Sequence, residues 1–486
     1  MPKIPRCMST QHPDNVRPPF FADNPVLEGD SEIQEAFYSY SHLGCDEQMW
    51  DCEGKEVDNF VVKKLLSKYK FFFREHQLGR DIFLTLRVPN PAIEKAEAKI
   101  LLETLESIPR SFDAARLFYD SDVPPIFEII LPMTTSYKEL DRIYRYYHNF
   151  IIGRQNLPLK EGEITVAQWI GEFEPEKINI IPLYEDMKSM LNAHNITKKY
   201  LEDKDVMYQR VFLARSDPAM NYGLITAVLL NKIALQRLNR LSDEIGIKIF
   251  PIIGVGSAPF RGNLKPKTVK RVVKEYPSIF TFTIQSSFKY DNPIDEVIEA
   301  IKFLHNNKTL SPQKIDEEFC LDLIKRYCKE YQKQIIELSS IINDLAQYIP
   351  NRRARKLHIG LFGYSRSMEG IQLPRAIKFT ASLYSIGLPP EILGLNVLNS
   401  ADLQFLRKNY LNFETDLNEA LRFFNPDSNL IPAELKQWLR NYPFYYQIDM
   451  EYKEITSEII SALRKNNTQI LKEFILQAAN IRGFLG

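Results

Sequence analysis

Short apolar runs alternate with amphipathic helical patterns from about residue 80 to residue 300. The runs are nearly continuous and rich in β-branched residues, which is typical of strands whose two sheet faces are both covered. Strands that alternate with helices in this way indicate βαβ units. We predict seven strands from these runs, at 81–88, 115–120, 127–133, 178–185, 210–217, 247–256 and 279–285.

Two of the intervening helices carry signals at their ends. Ser136 and Glu139 have the spacing of a capping box, which begins a helix. Gly246 stands where a glycine would end the helix that begins near Asn221. Both signals support the alternation of helices with strands.

An eighth strand at residues 8–12 would be followed by a long insertion, from about 14 to 80. Eight strands with helices between them predict an α/β fold with a closed (β/α)8 TIM-type barrel. A doubly wound open sheet is the competing fold, but no GxGxxG fingerprint follows a predicted strand.

The strand signal almost vanishes after residue 300, and helical patterns cover 314–348, 391–424, 432–441 and 450–480. We therefore predict a barrel over 1–300, with the helical insertion at about 14–80, and a mainly helical region over 301–486 packed on it. Segment 351–375 is rich in Gly and Arg. A long loop of this kind in a compact enzyme is usually functional or disordered, and we expect it to reach the active site.

Composition excludes several classes of protein. The 486 residues carry 62 Lys and Arg against 62 Asp and Glu, and zero net charge argues against a nucleic-acid partner. The longest apolar segment, 224–230, is far shorter than the roughly 20 residues that span a bilayer, so we expect no membrane partner. Five scattered cysteines with no CxxC pair predict a reducing, cytoplasmic location, and the N-terminus lacks the apolar region of a secretory signal.

Catalytic groups of parallel barrels lie at the carboxyl ends of the strands. Glu185 and Asp217 follow apolar strands directly, and two carboxylates with substrate oxygens and waters commonly hold Mg²⁺ or Mn²⁺. The alternative is that each carboxylate caps the next helix. Six residues stand at such strand ends: His12, Arg87, Glu185, Asp217, Arg261 and Gln285.

The stretch 254–262 has three glycines and Arg261, which would suit an anion; the alternative is a tight turn with a surface arginine. His12 is a candidate base or a structural histidine. No zinc motif, GxSxG elbow or P-loop occurs. The residues alone indicate an anion-binding barrel enzyme with an oxygen-ligated divalent metal.

Nine blocks in collinear order resemble phosphoenolpyruvate carboxylase, and the similarity is greatest to its short, archaeal-type form. The heptapeptide STQHPDN at 9–15 is the most specific of them. The others are MWDCEGK (49–55), LTLRVPNP (84–91), PLYE (182–185), ARSDPAMNYG (214–223), GVGSAPFRG (254–262), TIQSSFKY (283–290), GYSRS (363–367) and LPRAI (373–377).

The resemblance implies a barrel embedded in helices, and a Mg²⁺- or Mn²⁺-dependent reaction of phosphoenolpyruvate with bicarbonate that yields oxaloacetate and phosphate and replenishes the tricarboxylic acid cycle. A homotetramer is implied as well. By resemblance, Glu185 and Asp217 are the metal ligands, and Arg87 and Arg375 bind the anionic groups of the substrate. Arg261, with Gly262, binds bicarbonate and carboxyphosphate, and His12 is the general base. Trp50 forms a wall beside the substrate methylene, and its alternative role is in the core.

The sequence departs from the long enzymes of the family in two places. Residues 253–257 lack a histidine and an arginine of their glycine loop, and Met220 replaces their lysine. Arg215, Lys289 and Arg366 are candidates for compensating these losses. The alternatives to a carboxylase are a metal-dependent carbon–carbon lyase or phosphomutase acting on a similar acid, and a helical scaffold with an inactive barrel.

Overall fold

Eight parallel strands form a closed barrel in chain order within the residues that the structure describes. This structure is a computed structural model, which describes residues 3–52, 58–96, 98–355, 367–368, 370–441 and 446–486. Met8 of the first strand pairs with Glu47 on one side and with Thr283 on the other, and this closes the ring. The strands are β1 Cys7–Ser9, β2 Glu47–Asp51, β3 Phe83–Arg87, β4 Glu128–Leu131, β5 Asn179–Tyr184, β6 Tyr208–Ala214, β7 Lys248–Gly254 and β8 Thr281–Ile284. The predicted (β/α)8 barrel is confirmed.

Helices surround the barrel and connect its strands. A π-helical turn, Tyr147–Ile152, continues the fifth of them. The helices up to residue 306 are α1 Asp30–Ser41, α2 Val61–Lys68, α3 Lys70–Glu75, α4 Ile100–Tyr119, α5 Tyr137–Tyr146, α6 Val166–Ile170, α7 Met187–Leu191, α8 Ala193–Leu201, α9 Ser216–Tyr222, α10 Leu224–Ile245, α11 Val269–Glu275, α12 Ser286–Tyr290 and α13 Ile294–Asn306.

The rest of the chain is mainly helical, as predicted, and a two-stranded hairpin, β9 Ser367–Met368 and β10 Ile371–Gln372, precedes its second helix. None of the helices in the described residues is long and apolar enough to cross a membrane. The helices are α14 Glu317–Ala346, α15 Ala376–Ser385, α16 Ser400–Asn409, α17 Phe413–Leu421, α18 Ala433–Asn441, α19 Met450–Arg464 and α20 Thr468–Arg482.

The predicted strand at 115–120 is wrong, because residues up to Tyr119 belong to α4. Leu101, Leu105, Ile108 and Ala115 are buried at helical spacing, so this apolar stripe continues into the stretch that we read as a strand. The missing barrel strand is β2, which lies inside the predicted insertion.

The two end signals are confirmed. Ser136 and Glu139 form a capping box at the start of α5, with the Ser136 side chain accepting a backbone hydrogen bond. Gly246 follows α10 with φ of 72°, the left-handed conformation that glycine adopts without strain. The patterned helix near Asn221 is two helices, α9 and α10, and Gly223 separates them.

The barrel interior has a charged layer toward the N-terminal ends of the strands. Arg210 donates hydrogen bonds to Glu47 at 2.7 Å and to Glu128 at 2.9 Å, and all three side chains are buried. Burial lowers the pKa of Arg210, but the two carboxylates outweigh burial and raise that pKa above its ordinary value. An apolar layer that includes Met8, Met49, Ile130, Ile181 and Ile252 also lies inside the barrel.

Candidate active site

A cavity of about 560 Å³ opens at the carboxyl ends of the strands. Six residues that the sequence places at strand ends line it together, and Arg375 from the start of α15 joins them. Those six are His12, Arg87, Glu185, Asp217, Arg261 and Gln285. The loops after β1, β5, β6, β7 and β8 therefore converge with the last residue of β3 on one site.

Arg87 is oriented by a buried carboxylate on the neighbouring strand. Asp51 and Arg87 are partners in the register of β2 and β3, each at the end of its strand. Arg87 Nε lies 3.0 Å from Asp51 Oδ1, and Nη2 lies 2.9 Å from Oδ2. This two-point contact holds the guanidinium plane in one orientation at the floor of the cavity.

Arg261 is buried at the centre of a hydrogen-bond network. Its Nε donates to Ser216 Oγ at 3.2 Å, Nη1 to Asp14 Oδ2 at 3.3 Å, and Nη2 to Gln285 Oε1 at 2.5 Å. The Gly486 carbonyl also accepts from Nη1. Groups that follow β1, β6 and β8 thus fix a guanidinium that is carried by the loop after β7.

Two glycines shape that loop. A Cβ at position 256 would lie 2.8 Å from Arg261 Cζ, so a side chain there would push the guanidinium out of its present position. Gly262 has φ of 119°, and a Cβ there would lie 2.7 Å from Val255 Cγ1. Gly262 does not line the cavity in the described residues; it lets the chain turn immediately after Arg261.

His12 lies in the loop after β1 as a neutral imidazole. Burial and then the charge of Arg87 lower the pKa of His12 well below its ordinary value. Its Nδ1 lies 3.0 Å from Thr10 Oγ1, and the Thr10 hydroxyl donates to the Ile284 carbonyl at 3.2 Å. Because that hydroxyl proton is already used, Nδ1–H donates to Thr10, and Nε2 carries the lone pair that can accept a proton.

Two carboxylates line the cavity from the ends of adjacent strands, Glu185 after β5 and Asp217 after β6. Glu185 Oε2 accepts the Met133 backbone N–H at 2.6 Å. The side chain that caps α7 is Asp186, so Glu185 is not the helix cap that the alternative reading expects. Asp217 lies in the first turn of α9, whose N-cap residue, Arg215, makes no side-chain capping bond.

This donor set fits Mg²⁺ or Mn²⁺, which prefer oxygen ligands and are often held by one or two carboxylates together with waters and substrate oxygens. The described residues contain no group of three or more His, Cys, Asp and Glu side chains placed to hold a metal ion. Glu185 and Asp217 are the two carboxylates among the described residues that line the cavity.

Four further cations of the cavity were not predicted from the sequence: Arg352, Arg353, Arg355 and Lys378. Two of them are tightly held. Arg352 donates to the backbone carbonyls of residues 15 and 16, at 3.3 and 2.6 Å, while Arg353 pairs with Glu32 and Glu35 at 2.5 and 2.7 Å. The NRRAR run at 351–355 is the sequence signal that could have indicated these three arginines, because it lies in the loop that we expect to reach the site.

The remaining predicted residues lie elsewhere. Trp50 is buried in the large hydrophobic core and is not among the described cavity-lining residues, whereas its neighbour Met49 points into the barrel. Arg215 donates to the Phe260 carbonyl at 3.1 Å, and Lys289 pairs with Glu35 at 3.0 Å; neither lines the cavity as described. Arg366 lies outside the described residues.

A closed parallel barrel with two carboxylates and a group of arginines at the carboxyl ends of its strands defines a barrel enzyme with a cationic active-site cavity. The particular family follows from comparison with known proteins. The family model described as phosphoenolpyruvate carboxylase matches residues 4–486. The chain belongs to the phosphoenolpyruvate carboxylase family, and the resemblance read from its motifs is confirmed.

Curated relatives support this assignment over the whole chain. The chain is 58% identical over 486 residues to the phosphoenolpyruvate carboxylase of Methanothermobacter thermautotrophicus, covering 100% of both chains. It is 57% identical over 486 residues to that of Methanospirillum hungatei, again covering 100% of both chains. Among solved structures, a match to an HpcH/HpaI aldolase from Desulfitobacterium hafniense has a TM-score of 0.31 and 14% identity, and covers 57% of this chain and 85% of the other.

Proposed function

We propose that this chain joins bicarbonate to phosphoenolpyruvate irreversibly, giving oxaloacetate and phosphate, with Mg²⁺ or Mn²⁺ as the cofactor. The observation that carries the proposal is the convergence of His12, Glu185, Asp217, Arg261 and Arg375 on one cavity. These residues come from distant parts of the chain and supply a base, two oxygen ligands and two anion-binding groups. The curated relatives named above add support through their names.

The proposed reaction has three steps. A bicarbonate oxygen bonds to phosphorus while the bond from phosphorus to the enol oxygen breaks, which yields carboxyphosphate and the enolate of pyruvate. His12 Nε2 then takes the proton of carboxyphosphate, and the bond between its carbon and the bridging oxygen breaks to give carbon dioxide and phosphate. The enolate carbon finally bonds to carbon dioxide to form oxaloacetate, and the proton on His12 leaves with phosphate.

The arginines divide the binding of the anions. Arg261, fixed by Asp14 and Gln285, would hold bicarbonate and then carboxyphosphate. Arg87, oriented by Asp51, and Arg375 would grip the carboxylate and the phosphoryl group of the substrate, since a guanidinium offers two parallel donors to each. A divalent ion held by Glu185 and Asp217 would stabilise negative charge on phosphoryl and enolate oxygens.

His12 has the properties that its step needs. A pKa held below the ordinary value keeps the imidazole neutral near pH 7, so it can accept a proton there. The surrounding arginines lower the affinity of His12 for that proton, which favours its return to phosphate. His12→Asn should therefore block decarboxylation of carboxyphosphate more than its formation.

The proposal extends to the whole chain and its cellular role. Arg375, with Arg353 from the preceding loop, brings the region after residue 300 into the site, which supports one integrated catalytic unit of barrel and helical region. By family resemblance, we propose a cytoplasmic homotetramer that replenishes the tricarboxylic acid cycle with oxaloacetate. Light scattering on the purified chain would measure its oligomeric state.

The decisive experiment is bicarbonate dependence. The purified chain is supplied with phosphoenolpyruvate and Mg²⁺, and oxaloacetate is followed through malate dehydrogenase and NADH. We expect NADH oxidation to rise with added bicarbonate and to disappear in buffer depleted of carbon dioxide. Turnover of phosphoenolpyruvate that is independent of bicarbonate would instead indicate a lyase or a phosphomutase.

A further inference from the structure

The first turn of α15 forms part of the cavity wall. Ala376, Ile377 and Lys378, its first three residues, all line the cavity. The N-cap residue, Arg375, makes no side-chain hydrogen bond that would cap the helix. The positive end of a ten-residue helix, with the backbone N–H groups of its first turn, therefore borders the site.

Side-chain cations collect at the same place. Arg375 and Lys378 are three residues apart at the helix start, so they lie on the same face. Arg355 approaches from the loop before β9, and burial and then the charge of Arg375 lower the pKa of Arg355 to about 10. Burial also lowers the pKa of Lys378. Like charges are thus held together in a partly desolvated position, which is unfavourable unless an anion binds there.

Among the described residues, these cations make fewer hydrogen bonds to protein groups than the other cations of the cavity. Within the residues that the structure describes, Lys378 Nζ makes no hydrogen bond or ion pair. The Nη1 atom of Arg355 is buried and has no hydrogen-bond partner there. The carboxylate oxygen nearest to it, Asp51 Oδ2, lies 3.8 Å away and already accepts from Arg87. Arg87, Arg261, Arg352 and Arg353 each donate at least two hydrogen bonds to protein groups, although the Nε atom of Arg353 is also buried without a partner among the described residues.

We propose that Arg355, Lys378 and the first-turn N–H groups of α15 complete, with Arg375, a subsite for the phosphoryl group of the substrate, a phosphate monoester dianion. This inference rests on the proposed function and deepens it. The carboxylate end of the substrate is left to Arg87, whose own charge Asp51 partly balances.

The test uses Lys378→Gln and Arg355→Gln, with Lys378→Arg as the charge-conserving variant. Lys333→Gln is the matched control, because Lys333 is exposed on α14 and is not among the described residues that line the cavity. Three quantities are measured in the full-length enzyme with Mg²⁺: the KM for phosphoenolpyruvate, the inhibition constant of inorganic phosphate, and that of oxalate, which has carboxylates but no phosphoryl group.

We expect Lys378→Gln and Arg355→Gln each to raise the KM and the phosphate inhibition constant about tenfold to hundredfold, because each removes a charge-assisted hydrogen bond. The oxalate constant should change less than threefold, and Lys333→Gln should resemble the wild type. Lys378→Arg keeps the charge and should raise the KM and the phosphate constant less than Lys378→Gln does. The inhibition constant of inorganic phosphate shows whether the substitutions weaken binding of the phosphoryl group itself or only binding of the whole substrate. Lys378 and Arg355 are both partly exposed, so neither substitution empties the core.

Two results would overturn the inference. One is an unchanged phosphate inhibition constant in both glutamine variants while the wild type carboxylates phosphoenolpyruvate. The other is equal weakening of oxalate and phosphate, which would indicate a general loss of positive potential and no phosphoryl subsite. Failure of the wild-type chain to form oxaloacetate from bicarbonate would refute the proposed function instead, so the two failures are distinguishable.

Discussion

The two ends of the barrel hold buried charge in opposite ways. Toward the N-terminal end, Arg210 makes four hydrogen bonds to Glu47, Glu128 and Thr281. At the C-terminal end, the described lining of the cavity contains only two carboxylates, Glu185 and Asp217. It contains seven cationic side chains: Arg87, Arg261, Arg352, Arg353, Arg355, Arg375 and Lys378.

This difference separates charge that serves the fold from charge that serves a ligand. The guanidinium of Arg210 faces two carboxylates, so a bound ion is not needed to balance it. In the cavity, Arg87, Arg261 and Arg353 pair with carboxylates behind the wall. Arg352, Arg375 and Lys378 add a local excess of positive charge that anionic substrates would balance. The whole-chain net charge of zero conceals this local excess, because carboxylates elsewhere compensate for it.

The largest effect is expected at the cavity end. Asp217→Asn should lower kcat/KM about a thousandfold, because it removes one of two oxygen ligands where charge develops. The free energy of unfolding should change by less than about 1 kcal/mol, the usual size of a first-turn charge effect. Steady-state kinetics and urea unfolding measure these two consequences, and Mn²⁺ titration calorimetry measures the expected weakening of metal binding, with exposed Asp295→Asn as control. Full activity at limiting Mg²⁺ would show that Asp217 is not a ligand.

The opposite pattern is expected at the N-terminal end. Arg210→Met should lower the free energy of unfolding by about 3 to 5 kcal/mol, because it leaves Glu47 and Glu128 buried without their cation. The kcat of the folded fraction should stay near the wild-type value, since Arg210 does not line the described cavity.

Urea unfolding with kinetics on the native fraction checks the Arg210 prediction. Adding Glu47→Gln and Glu128→Gln to Arg210→Met should restore most of the lost stability, since no unpaired charge then remains. Loss of activity in a fully folded Arg210→Met enzyme would mean that this end of the barrel also serves catalysis.

A smaller effect on the cavity end is expected from Gly256→Ala. The new Cβ would displace the Arg261 guanidinium, which lies 2.8 Å away, and a displacement of about 1 Å can lower catalysis roughly a hundredfold. The KM for bicarbonate should rise with little change in that for phosphoenolpyruvate. Gly153→Ala is the control, because the nearest atom to its Cβ, the His148 carbonyl oxygen, is 3.4 Å away. Equal kinetics in both variants would exclude a role for the Arg261 position.

The smallest predicted effect is on the pH dependence of the free energy of unfolding, and it comes from His12 in the cavity. Folding lowers the pKa of His12, so below about pH 6.5 the unfolded chain binds a proton at this imidazole that the folded chain does not. The free energy of unfolding of the wild type should therefore fall relative to His12→Asn as pH drops from 7.5 to 5.5. Urea unfolding of both proteins at the two pH values measures this difference. A difference that is constant or of opposite sign would mean that the pKa of His12 is not lowered.

The barrel could be predicted from the sequence because most of its strands are apolar on both faces. Strand β2 escaped because Glu47 and Asp51 carry charge into the barrel interior and interrupt the apolar run. The stretch 115–120 misled because aromatic residues near the end of α4 imitate a short strand. The pattern of apolar residues therefore predicts strands that are apolar on both faces, and it misses a strand whose side chains form buried ion pairs.

The strand-end residues of the site could likewise be predicted, since parallel strands present their carboxyl ends together. Their partners could not. Asp14 and Arg261 form a hydrogen bond although they are 247 residues apart in the sequence. Lys378 reaches the cavity from α15, a helix that does not follow any of the eight barrel strands directly. Such contacts depend on how loops and the helical region close over the barrel, which local pattern does not encode.

The most direct test of the account follows the oxygen atoms of bicarbonate. Purified enzyme turns over phosphoenolpyruvate with ¹⁸O-labelled bicarbonate and Mg²⁺, and the phosphate formed is examined by mass spectrometry before the label exchanges with water. We expect the phosphate to carry one oxygen from bicarbonate, because bicarbonate bonds to phosphorus in the cationic cavity. Phosphate without label, at a rate of oxaloacetate formation equal to that of phosphate release, would contradict this expectation.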